Sequence, residues 1–144
     1  MNDELMKLAK HAVTLPGWRW MPGMLVISTH NYHRPARIES LDGDTYGLTV
    51  IPHADGPVFA AHHEYGIAGE FPRGSSVPDL SDPATLGCLL ALVREAWGKH
   101  TIVDYARYGW SVYAPTGDAV GASCKSEAHA LVAALEAAPT AEAP

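Results

Sequence analysis

The sequence predicts an α+β fold, an antiparallel β-meander with hairpins packed by about three helices, and three observations carry that expectation. Ser81–Gly98 reads as a complete helix, with start signal, apolar stripe and stop signal in agreement. Asp42-Gly43 stands between two strand-like runs, where a tight hairpin turn needs residues that tolerate positive φ. Strand-like segments come in groups between helix-like ones, without the regular βαβ alternation of a doubly wound parallel sheet.

The first helix is expected over residues 3–13. Leu5, Leu8, Ala9 and Ala12 share one face, Asn2 or Asp3 can cap, and Leu15-Pro16-Gly17 ends the segment. Pro22-Gly23 then introduces Met24–Thr29, whose unbroken apolar start suits a buried strand, and Ala36–Leu41 follows. Beyond the Asp42-Gly43 turn, Thr45–Ile51 sets Tyr46, Leu48 and Val50 on one face. A short strand is expected at Val58–Ala61, and Gly66–Pro78, rich in Gly, Pro and Ser, reads as a surface loop.

The central helix, 82–97, has Ser81 or Asp82 as cap, Pro83 at its first position and Gly98 to end it in the left-handed conformation. Leu86, Leu89, Leu90, Val93 and Trp97 make its expected core face. Trp110–Ala114 alternates and meets Pro115-Thr116-Gly117-Asp118, a turn, with a partner strand at Ala119–Ala122. Ser123 or Ser126 can cap a last helix, 125–138, with Ala128, Leu131, Val132 and Leu135 inward; 139–144 reads as a disordered tail. Residues 1–138 are therefore expected as one domain, with 1–65 and 79–138 as candidate sub-modules joined by the loop 66–78.

With 144 residues, 47% of them hydrophobic and 18% charged, the chain can close a core without a metal or disulfide staple. Its longest apolar runs, Met24–Ile27 and Cys88–Val93, fall far short of the ~20 residues of a membrane span. MNDELMKLAKHAV carries no secretory signal, so a cytoplasmic location is expected, with Cys88 and Cys124 reduced. Leu5–Ile38 holds five basic residues, Lys7, Lys10, Arg19, Arg34 and Arg37, and no acid, which leaves −11 on the remainder of a chain of net charge −6. That overall charge repels nucleic acid at long range.

Of the eight histidines, His30 and His33 are spaced by three and His62-His63-Glu64 are consecutive. Brought together, His30, His33, His62 and His63 could offer nitrogens to zinc, although neighbouring residues of a strand point to opposite faces. There is no HExxH, no CxxC, no Gly-x-Ser-x-Gly and no phosphate-cradling glycine loop. Asp42 and Asp44 flank a turn glycine and are explained by turn chemistry. Nothing here supports catalysis, so no catalytic residue and no cofactor are assigned. The basic N-terminal segment is instead interleaved with rings: Trp18, Arg19, Trp20, Tyr32, Arg34 and Arg37 form the candidate binding set, because aromatic and Arg side chains dominate interface hot spots.

Asp79–Gly98, DLSDPATLGCLLALVREAWG, and Gly109–Ala138, GWSVYAPTGDAVGASCKSEAHALVAALEAA, resemble small accessory proteins encoded by bacteriophages and prophages of proteobacteria. The resemblance implies a phage context, in which short genes often encode inhibitors of host defence, CRISPR inhibitors included, that act by binding a protein. The helix, strand, strand, helix order closing on Ser123-Cys-Lys-Ser-Glu-Ala is similar in outline to double-stranded-RNA-binding domains. Those carry an extra strand and a basic start to their last helix, whereas here Lys125 is alone and Glu127 and His129 follow. The expected function is thus a non-catalytic interaction protein in the cytoplasm of a bacterial host, with a host or phage protein, or a second copy, as partner. A histidine-centred ligand or metal site is the alternative, and an RNA-binding module ranks below both.

Overall fold

A computed structural model of the chain describes residues 1–28, 35–42, 45–50, 62–65 and 76–139. The fold is α+β, with antiparallel sheets and three helices among the described residues. Chain contacts group into two compact units, Trp20–Cys88 and Met1–Arg19 with Leu89–Pro144.

The unit Trp20–Cys88 is built on a sheet with five strands among the described residues. Its strands are β1 (Leu25–Ser28), β2 (Ala36–Asp42), β3 (Thr45–Val50), β4 (His62–Tyr65) and β5 (Ser76–Pro78), in the order β4-β3-β2-β1-β5. The expected hairpin is present: β2 and β3 pair antiparallel through Ile38↔Leu48 and Asp42↔Thr45, with a register shift between Ile38 and Ser40. Met24, Val26, Ile38, Leu48, Val77 and Leu80 are buried together with Thr85, as a β-layer with one apolar face requires.

One expectation changes in this unit. Ser76–Pro78 is strand, not loop: Ile27↔Val77 and Val26↔Pro78 pair, and the Asp79 N–H continues the ladder to Leu25 O at 2.8 Å. A three-residue strand ending in proline reads as punctuation, yet proline is tolerated on an outer strand, and β5 is outermost among the described residues. The strand expected at Val58–Ala61 and the turn residues Gly43-Asp44 lie outside the described residues, as does all of the 139–144 tail except Pro139.

Helix α2 (Pro83–Trp97) follows. Its cap is settled as Asp82, whose carboxylate accepts from Thr85 N–H at 2.9 Å and from Thr85 Oγ at 2.8 Å. It stops at Gly98, whose φ of +130° is costly for any residue with a Cβ, while the Gly98 N–H donates to Arg94 O at 2.8 Å. Thr85, Leu89, Leu92 and Val93 are its sealed positions, whereas Leu86, Leu90 and Trp97 are only half-buried. The stripe is thus rotated from the expected one. Thr85 looks polar in sequence, but its hydroxyl donates to Asp82 and accepts from Leu25 N–H at 2.9 Å, so it is buried with its hydrogen bonds made.

The other unit contains α1 (Asp3–Ala12), the later part of α2, and a three-stranded sheet of β6 (Ile102–Ala106), β7 (Gly109–Tyr113) and β8 (Ala119–Cys124), in that order. Helix α3 (Glu127–Glu136) packs on this sheet. Asn2 caps α1 by accepting from Leu5 N–H at 2.8 Å, and Ser126 caps α3 by accepting from His129 N–H at 3.1 Å. Ala128, Ala130, Leu131, Val132, Ala134 and Leu135 are buried against the sheet and its surroundings. The approach is close: a Cβ placed on Gly121 of β8 would stand 2.5 Å from Ala130 O. Trp97 ties the end of α2 to α3 by donating from Nε1 to Ala134 O at 2.8 Å. β6 is an addition to the expected elements.

Candidate interaction surface

The candidate binding residues are divided between the two units. Trp18 is half-buried and Arg19 exposed, and both line an open cleft of about 320 Å³ with Pro16, Leu92, Glu95 and Ala96. At its rim the Arg19 guanidinium donates through both terminal nitrogens to the two oxygens of Glu95. The hydrogen bonds, and secondarily the opposite charges, favour both ionised forms, so Arg19 titrates higher and Glu95 lower than usual. Trp20 belongs to the other unit and is half-buried.

Arg37 is part of the scaffold rather than the skin. Its Nη1 donates to Gly23 O and to Asp82 Oδ2, both at 2.8 Å, and its Nη2 donates to Asp82 Oδ1 at 3.0 Å. Arg37 and the Thr85 donors together hold the Asp82 carboxyl down to about 2. Nearby, the Cys88 thiol donates to Pro22 O at 3.3 Å, and burial pushes its pKa up, which makes it a poor nucleophile. Tyr32 and Arg34 lie outside the described residues, as do His30 and His33. His62 and His63 are consecutive in β4, paired with Thr49 and Leu48. Among the described residues no group of three or more His, Cys, Asp and Glu is placed to hold a metal ion.

A contact between Ser126 Oγ and His129 Nδ1, 2.5 Å, has the look of a nucleophile with its base. The same hydroxyl accepts the His129 N–H, so the pair closes the first turn of α3. Lys125 pairs with Glu4, and burial, with Lys125 nearby, lowers the His129 pKa.

Among the described residues the most exposed tyrosine and tryptophan rings are those of Tyr105 and Tyr108, outside the candidate binding set. Ile102 is 53% exposed, Tyr105 68% and Tyr108 77%, all on β6 or the turn that joins it to β7. Tyr105 and Trp110 face each other across the ladder with ring centroids 5.2 Å apart, and the Arg107 guanidinium sits 5.8 Å from the Tyr108 ring centroid. The available signal was density: Tyr105–Trp110 packs three rings and an arginine into a hairpin end. No known protein family, curated protein or solved structure matches the chain.

Proposed function

We infer that the chain is a non-catalytic interaction protein, of the kind that phages encode to bind a host or phage protein. Inhibition of a bacterial defence system such as CRISPR, in the host cytoplasm, is the form of this reading that the resemblance suggests. The observation that supports it is the exposure of Tyr105 and Tyr108 beside Arg107 on a hairpin held by its own ladder. Rings with few rotatable bonds and a planar cation give contact area at low entropic cost. Among the described residues no helix is long and apolar enough to cross a membrane.

The test pairs capture with stability. Replacing Tyr105 and Tyr108 together by Ala should leave the melting temperature within about 2 °C of the parent, because exposed positions contribute little to folding. It should abolish cross-linking to the partner that the parent captures in the native host. Retained capture would sink the reading, as would a loss of stability large enough to explain the loss of capture.

A further inference from the structure

β6 is an outer strand, and among the described residues nothing pairs with its far side. Such a strand leaves part of its backbone N–H and C=O groups without ladder partners, a template on which another strand can form. Ile102, Asp104, Tyr105 and Ala106 are all exposed, and the strand contains no proline. Lys99 precedes it and Arg107 follows it, both exposed and neither in an ion pair among the described residues. In a chain of net charge −6, the strand Ile102–Ala106 is apolar or aromatic except at Asp104 and has a cation beyond each end, with His100 and Thr101 between Lys99 and the strand.

A second copy fits the edge badly. An antiparallel two-fold centred on Val103 brings the Lys99 end of one copy to the Arg107 end of the other. Centring on Asp104 sets the two Asp104 carboxylates across from each other. Like charges directly opposed destabilise a strand pair. We propose that β6 receives an extended segment of a different protein, acidic at both ends and apolar or aromatic between them, as a fourth strand of the sheet. The acids pair with Lys99 and Arg107, and the central side chains cover Ile102 and Tyr105. The distance between the flanking cations is at most about 26 Å, so the segment has about nine residues or fewer. This rests on the interaction reading and adds the surface and the chemistry of its partner.

The probe is a displayed library of random peptides of about twelve residues, panned against the full chain. Selected peptides should alternate apolar residues between acidic ends and slow hydrogen exchange at the Val103 and Tyr105 amides. They should bind at least about tenfold more weakly to Arg107→Glu, an exposed change whose folding is checked by its melting temperature. The Lys99→Glu/Arg107→Glu variant, panned afresh, should select peptides with basic ends. No enrichment, enrichment without an acidic bias, or preference for a labelled oligothymidylate over every peptide overturns the proposal. Peptides that land on Tyr108 and leave β6 exchange unchanged also overturn it, while sparing the interaction reading.

Discussion

Arg19 and Arg37 make the same bidentate bond to a carboxylate, and their surroundings give it opposite uses. The Arg37 and Asp82 side chains are 32% and 13% exposed, and their pair also takes in Gly23 O and the first turn of α2. Arg19 and Glu95 are 52% and 53% exposed, on the rim of a cleft. Water already solvates the second pair, so its geometry adds little to folding and its groups remain free to exchange partners. In the first pair each member would be left half-buried and poorly solvated by loss of the other. An arginine near a tryptophan in sequence is therefore no guide to its use. What decides it is how much water the pair retains.

Breaking Asp82 should show the largest difference. Asp82→Ala removes the cap of α2 and leaves Arg37 without its counter-charge, an expected loss of about 2–4 kcal/mol in urea unfolding. A loss below about 0.5 kcal/mol would erase the contrast between the pairs. Acid should report the same group. Its folded pKa, about 2, lies below the unfolded value, so its stabilisation is full above about pH 4 and is lost as pH falls through 2. The expected change is about 2 kcal/mol, and Asp82→Asn should flatten the acid limb of the stability profile. Thr85→Val keeps the volume but strands the Leu25 N–H, and should cost about 1–2 kcal/mol by thermal unfolding. Arg19→Ala comes last, at about 0–1 kcal/mol, shrinking further in high salt.

What the sequence made legible is local. Asp82, Pro83 and Gly98 act within one turn of α2, and Asp42 ends the β2–β3 ladder by pairing with Thr45, so those boundaries follow from neighbouring residues. Arg37 and Asp82 are 45 residues apart, and no spacing rule announces their bond. β6 escaped because an exposed outer strand lacks the inside–outside alternation by which strands are read. Tyr105 and Tyr108 escaped for a related reason: rings are ordinarily counted toward the interior, and only packing shows which stay outside. Of the candidate binding set, Arg19 is where a ligand could reach it, while Arg37 is committed to the scaffold.

Gly121 carries a consequence for anyone who diversifies this chain. With Ala130 O where its side chain would be, even one methyl forces α3 off the sheet. A deep mutational scan should therefore return a column of failures at 121 beside near-complete tolerance at exposed Ala122, a contrast of adjacent letters that would fingerprint the helix seat in cells without a purified sample.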